Sequence, residues 1–198
     1  MIDPRTVEQN LDNLRYVSER MMHLPHFVFY GTLLGYQREG TIITNDDDID
    51  ILVDRKHHDD IRAIFENTEV FIRRKREQYR TGVFLQGVRM IGDARTFIDF
   101  YLYEDIAEHD YICENWNYNG DYHIASNAMH IPKSAVYPIQ NAQMQGIDIK
   151  VPADPQACCE FLYGKNWQIP RSKATDYTMK IHDHLPVMVS RDTGELLE

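Results

Sequence analysis

Near the start of the chain, Val7, Leu11, Leu14, Val17 and Met21 recur at helical spacing. Asp3-Pro4 stands before them as an N-cap followed by proline at the first helical position. The pattern predicts an amphipathic helix over 4–23, stopped before Pro25. His26 to Tyr30, "HFVFY", is a short and nearly continuous apolar run, read as a strand ending at Gly31. "TLLGYQREG" reads as one or two helical turns, with Thr32 near their start and Gly40 as the C-terminal stop. "IDILVD" is the next strand. Ile49, Ile51 and Val53 lie on one face, and Asp48, Asp50, Leu52 and Asp54 on the other. A helix over about 57–66 carries Ile61, Ile64 and Phe65.

Three aromatic and β-branched stretches follow, "EVFIRRK", "GVFLQGVRMIG" and "TFIDFYLYE", so helix–strand alternation gives way to an antiparallel meander. Residues 115–126 are polar and read as a loop. "VYPIQNAQMQGIDIKVP" reads as a hairpin turning at Gln145-Gly146. Asp154-Pro155 repeats the cap-and-proline device and opens a helix that runs to about Tyr163 and ends at Gly164. From "NWQIPRSK" onward clear periodicity is lost, and 171–198 is expected to be irregular. No linker or repeat divides the 198 residues, so the expectation is one α+β domain with its core over about 26–170.

Composition narrows what such a domain can do. Twenty-one basic against 31 acidic side chains give a net charge of −10. That balance argues against a sequence-independent nucleic-acid surface, because such binding comes from Lys and Arg neutralising phosphates. Cys113, Cys158 and Cys159 are odd in number and two are adjacent, which suits neither a disulfide framework nor a spaced metal site, so a reducing cytoplasm is expected. No apolar run reaches the ~20 residues of a membrane span.

"NDDDIDILVD", Asn45 to Asp54, concentrates like charges where the chain enters its core. Asp48 and Asp50 are two apart on a strand, so their carboxylates share a face, roughly 7 Å apart along the backbone. Left bare, each raises the other's pKa and burial raises both. A divalent cation removes that conflict, and a hard ion such as Mg²⁺ is commonly held by one or two carboxylates together with substrate phosphates. A solvated turn is the plain alternative, but Asp50 lies inside an apolar strand. A calcium loop fits Asp46, Asp48 and Asp50 at its first three positions and then fails, with Ile51 and His57 where glycine and glutamate are required. The D-x-D of a nucleotide-sugar glycosyltransferase is the runner-up; those enzymes place several strands before the motif, and here there is one.

Upstream, Gly31-Thr32 joins a strand to a helix start, where backbone N–H groups and the helix dipole favour a phosphate. Asp99 is the one acid inside the apolar run "TFIDFYLY", and it is the candidate third carboxylate and a proton acceptor for an attacking hydroxyl.

These residues together resemble a known family. "YGTLLGYQREGTIITNDDDIDILVD" is similar to the head motif of the LicD/fukutin-related proteins: G-T-L-L-G, an arginine three residues later, then a D-D-D-x-D run. "IDF", "IPKSAVYP", "GIDIKVP" and "FLYGKNWQIP" follow in the family's order, so the likeness spans about 30–170. The resemblance implies a polymerase-β-like nucleotidyltransferase fold, with a mixed or antiparallel sheet flanked by helices. It also implies Mg²⁺-dependent (or Mn²⁺-dependent) transfer of phosphocholine or a phospho-alditol from a CDP-linked donor to a glycan or polyol-phosphate acceptor. By position it implies Asp48, Asp50 and Asp99 as metal ligands, Gly31 and Thr32 as a phosphate-facing turn, and Arg38 as a donor contact. Asn45 stands where the family often has tryptophan.

Other residues invite a role. "RRKRE" with Arg80 is a basic patch that could meet an anionic substrate or simply guard a strand edge. Lys165 with Arg171 could close over phosphate, while Gly164 and Trp167 also read as a helix cap and a core anchor. His57-His58, His182 and His184 lack zinc-like spacing and are expected to be structural or exposed. His123, Asn127 and His130 lie where an acceptor pocket could form.

Overall fold

A computed structural model of the chain describes residues 5–74, 84–114, 128–173 and 175–197. Helix α1 (Arg5–Met21) forms as its periodicity predicts; the Asp3-Pro4 cap lies outside the described residues. Leu14, Val17 and Met21 are fully buried on one stripe of α1. Strand β1 (His26–Val28) leads into α2 (Tyr30–Glu39), then β2 (Asp48–Asp54). A 3₁₀ turn (Arg55–His57) and α3 (His58–Ile64) precede β3 (Val70–Arg74), β4 (Phe84–Ile91) and β5 (Ala94–Asp105).

The main sheet runs β1-β2-β5-β4-β3. To it are added β6 (Tyr111–Glu114), paired with β5, and β7 (Met129–Pro132), paired with β6. Pairing of β2 with β5 is parallel and the other pairs are antiparallel, which makes the sheet mixed. β2 is an interior strand, which explains why Ile49 through Val53 are buried on both faces and why its acids reach so deep.

Helix α4 (Lys133–Val136) precedes the hairpin β8 (Gln140–Met144) and β9 (Ile147–Val151), which turns at Gln145-Gly146 as expected; both residues have φ > 0 (49° and 73°), the geometry of a two-residue hairpin loop. Helix α5 (Pro155–Tyr163) is capped by Asp154, whose Oδ1 accepts from the Ala157 N–H at 2.9 Å, and it ends at Gly164. The result is a mixed α+β single domain, a sheet flanked by helices.

Two sequence expectations are corrected. Helix α2 begins at Tyr30, so the apolar run "HFVFY" divides between strand and helix. The C-terminal stretch is not irregular: β10 (Tyr177–His182), β11 (Leu185–Ser190) and β12 (Leu196–Leu197) form a three-stranded antiparallel sheet. Its first hairpin turns on Asp183 and His184, both at φ > 0.

Candidate active site

The site is assembled where α2 begins and β2 enters the sheet. Gly35 lets the return segment pack on α2, since a Cβ there would lie 2.4 Å from the Thr41 carbonyl oxygen. Gly40 closes the helix at φ 66° with its N–H on Tyr36 O. Asn45 then takes φ 71°, a left-handed conformation that asparagine tolerates better than a bulky residue, in the position the family often gives to tryptophan. Asn10 of α1, buried, donates from Nδ2 to the Asp46 carbonyl at 2.9 Å and pins this entry loop to the first helix.

Asp46, Asp48 and Asp50 bring carboxylate oxygens within 4.8 Å of one another. They lie against Gly31: a Cβ there would meet Asp46 Oδ2 at 2.5 Å and Asp50 Oδ2 at 3.1 Å. Glycine at 31 is therefore required by the packing of two acids. Thr32 is buried, and its Oγ1 accepts the Asp50 backbone N–H at 2.8 Å while its own N–H points to Asp50 Oδ2 at 3.4 Å. The Thr32 side chain is thus engaged with Asp50.

Asp50 is registered directly beside Asp99 on the parallel neighbour β5, so both side chains leave the same face of the sheet. Asp99 is fully buried and its Oδ1 accepts from Gln86 Nε2 at 2.7 Å. Asp48, Asp50 and Asp99 thus share one region, with Asp99 fully buried beside Asp50 and not lining the cleft itself.

The electrostatics are those of acids short of a counter-charge. Burial, then the neighbouring Asp50 and Asp99, push the Asp48 carboxyl up to about 10. Burial and Asp47 push Asp46 up to about 6, with Lys173 acting in the opposite sense. Asp50 is held well above the ordinary carboxylate range, first by burial and then by Asp46 and Asp99, against the opposing backbone N–H groups of Thr32 and Gly31. Such a cluster needs protons or a cation. Its donors are all carboxylate oxygens, the hard ligand set that suits Mg²⁺ or Mn²⁺.

These acids open onto a cleft of about 850 Å³. Arg38, Arg171 and Lys173 also line it, with Tyr30, Tyr101, Tyr163 and Tyr177. Arg38 bonds Glu39 Oε1 through Nε (3.0 Å) and Nη2 (2.5 Å). Lys165 is exposed just beyond α5 and does not line this cleft, whereas Arg171 does. Sequence reasoning missed Asp46 as a candidate ligand, although the alternation Asp46, Asp48, Asp50 that served to test a calcium loop already carried the signal. It also missed Lys173 and Tyr177, which come from the segment expected to be irregular.

Among the described residues, several histidines have local structural partners. His57 Nδ1 pairs with Asp60 and His58 Nδ1 with Asp59. His130 is stacked between Tyr111 and His184, with ring centroids 3.8 Å away on each side, and His184 Nδ1 bonds Ala128 O at 3.0 Å. Of the basic patch, Arg73 belongs to β3, while 75–77 and Arg80 lie outside the described residues, as do His123 and Asn127.

Comparison with known proteins bears on the same residues. Among solved structures, the chain is similar to a lincosamide antibiotic adenylyltransferase with lincomycin bound (13% identity, 74% of this chain and 80% of that one, TM-score 0.48). It is also similar to the antibiotic-resistance factor ANT(2'')-Ia, in solution (16%, 74% and 65%, TM-score 0.42) and in complex with adenylyl-2''-tobramycin (17%, 75% and 70%, TM-score 0.45). No curated protein matches the sequence. A family model does, over residues 23–154, from the approach to β1 through the acidic cluster, Asp99 and the β8–β9 hairpin to the cap of α5. Membership supports a nucleotidyl- or phosphoryl-transfer role for the cleft. The chain belongs to the LicD/FKTN/FKRP nucleotidyltransferase domain family.

Proposed function

We propose that the protein transfers a phospho-group of the phosphocholine or phospho-alditol type from a CDP-linked donor to a hydroxyl of a glycan or polyol-phosphate acceptor, releasing CMP. The observation that carries this reading is the convergence of Asp46, Asp48 and Asp50 within 4.8 Å against the bare backbone of Gly31, with Asp50 in register with Asp99. Asp46, Asp48 and Asp50 would hold Mg²⁺ or Mn²⁺, with Asp99 behind Asp50 as the fourth acid. The bound ion supplies charge neutralisation at the diphosphate and activation of the acceptor hydroxyl.

The chain's own residues do the positioning on which phosphoryl transfer depends. Gly31 leaves room at α2's start for the Asp46 and Asp50 carboxylates to converge, and Arg38, Arg171 and Lys173 place positive charge on the cleft wall near the acids. Thr32 and Asn10 fix Asp50 and the Asp46 loop before substrate arrives. Attack falls on the phosphorus distal to the cytidine, because the phospho-group travels with the choline or alditol. The three buried free thiols suit a reducing, cytoplasmic setting.

No helix among the described residues is long and apolar enough to cross a membrane. The test is a panel of CDP-alcohols incubated with Mg²⁺ and candidate acceptors, read by nucleotide product. CMP release supports the reading. Pyrophosphate from a nucleoside triphosphate, with no CMP from any CDP-alcohol, replaces it with nucleotidyl transfer, and release of CDP or UDP from a nucleotide sugar replaces it with glycosyl transfer.

A further inference from the structure

One row of four polar side chains crosses the sheet and ends at the acidic site. Arg73 on β3 is registered with Gln86 on β4, Gln86 with Asp99 on β5, and Asp99 with Asp50 on β2. Registered neighbours project from the same face, so the row is continuous. Its hydrogen bonds run in one sense. Arg73 donates to Gln86 Oε1 from Nε at 3.1 Å and from Nη2 at 2.6 Å, and Gln86 Nε2 donates to Asp99 Oδ1 at 2.7 Å. Gln86 is 2% exposed and Asp99 0%, while Arg73 is half-buried and reaches toward solvent.

We infer that Arg73 and Gln86 are positioning residues that orient Asp99 as the inner carboxylate of the metal site and bring compensating positive charge to it through the sheet. This rests on the metal-dependent reading of the site given above. The two N–H donors of Arg73 fix the Gln86 amide with its oxygen outward, so its NH₂ must face Asp99. The Gln86 donor on Oδ1 thereby fixes the orientation of the Asp99 carboxylate. A buried acid beside another buried acid carries a heavy desolvation cost. A guanidinium two bonds away lowers that cost without entering the cleft, where it would compete with the metal. The arrangement is that of an outer partner orienting a metal ligand, whose loss costs about 10–100-fold in metal affinity or activity.

The test compares wild type with Gln86→Met, Arg73→Met and Arg73→Lys. Mn²⁺ affinity is measured by calorimetry, the melting temperature without metal, and kcat and donor KM in the CMP-release assay. Gln86→Met is expected to weaken Mn²⁺ binding and lower kcat by about 10–100-fold, with donor KM unchanged. Arg73→Met, altered at the outer end of the row, is expected to fold with a metal-free melting temperature lowered by a few degrees, because Gln86 Oε1 loses its donors, and to lose about tenfold in Mn²⁺ affinity. Arg73→Lys, which restores the charge and one donor, recovers part of that loss. Wild-type Mn²⁺ affinity in Arg73→Met overturns the inference while leaving the function standing. Absence of Mn²⁺ binding by the wild-type protein overturns the metal-dependent reading, and this inference with it.

Discussion

Replacing Gly31 with alanine isolates the metal site from the fold. The added methyl lands 2.5 Å from Asp46 Oδ2, and an ordinary contact begins near 3.4 Å, so that oxygen must retreat by about 0.9 Å. Asp50 cannot share the movement easily, because Thr32 holds its backbone at 2.8 Å. Asp46 can, since it sits on the loop that enters β2 rather than inside the strand. Overpacking costs about 1–3 kcal/mol, and exchanging glycine for alanine within a helix returns up to about 1 kcal/mol. The metal-free variant should therefore melt within a few degrees of wild type. Metal binding should suffer far more, because a displacement near 1 Å can cost about 100-fold. At a Mn²⁺ concentration 100 times its wild-type Kd, binding stabilises by about 2.7 kcal/mol, which raises the melting temperature by roughly 5–10 °C for a chain of this size. In Gly31→Ala the same concentration should raise it by about 1 °C. A thermal shift equal to that of wild type would refute the claim that Asp46 and Gly31 share one cation site.

Other outcomes follow from the same geometry. Without metal, folded Asp48 keeps its proton from the ordinary carboxylate range up to about 10, so the folded state binds more protons than the unfolded one and stability falls as pH rises through that window, by at most about 1.4 kcal/mol per pH unit per retained proton. Asp50 acts in the same direction, whereas His26, pushed down to about 4 by burial, opposes it only below pH 6.5. Between pH 7 and 8 the metal-free melting temperature should therefore drop and saturating Mg²⁺ should flatten the slope; a flat metal-free profile contradicts the electrostatics. Asp48→Asn and Asp50→Asn should each leave less than about a tenth of the transfer activity while melting no lower than wild type at pH 8 without metal, as measured by CMP release and calorimetry. Thr32→Val strands the buried Asp50 N–H and should cost about 1–3 kcal/mol in chemical denaturation, with Thr32→Ser recovering most of it.

What the sequence made legible was governed by local rules. The helical period of α1, the Gln145-Gly146 turn and the Asp154 cap with its proline and glycine each depend on neighbouring residues, and each stands where it was expected. The aspartates of β2 were legible because charge inside an apolar strand has no local explanation. What failed depended on distant partners. Tyr30 continues an apolar run, yet it turns into α2 at φ 42° because its hydroxyl donates to Glu114 at 2.7 Å, 84 positions away. The C-terminal sheet has little apolar alternation, so its hairpin at Asp183-His184 was not legible. Nothing in "RRKRE" distinguishes Arg73 from its neighbours; only pairing across β3, β4 and β5 reveals its line to Asp99. Lys165 matched a motif by position, but the chain after Gly164 carries it away from the cleft, and Lys173 lines the wall instead.

The most direct test of the central claim is anomalous diffraction from crystals of the protein grown with Mn²⁺ and CDP. The account predicts a Mn²⁺ peak bonded at about 2.1 Å to carboxylate oxygens of Asp46, Asp48 and Asp50, with the nucleotide's phosphates on the same ion beside Gly31. Mn²⁺ bound elsewhere, or the nucleotide seated in the cleft with no ion between it and these acids, would contradict it.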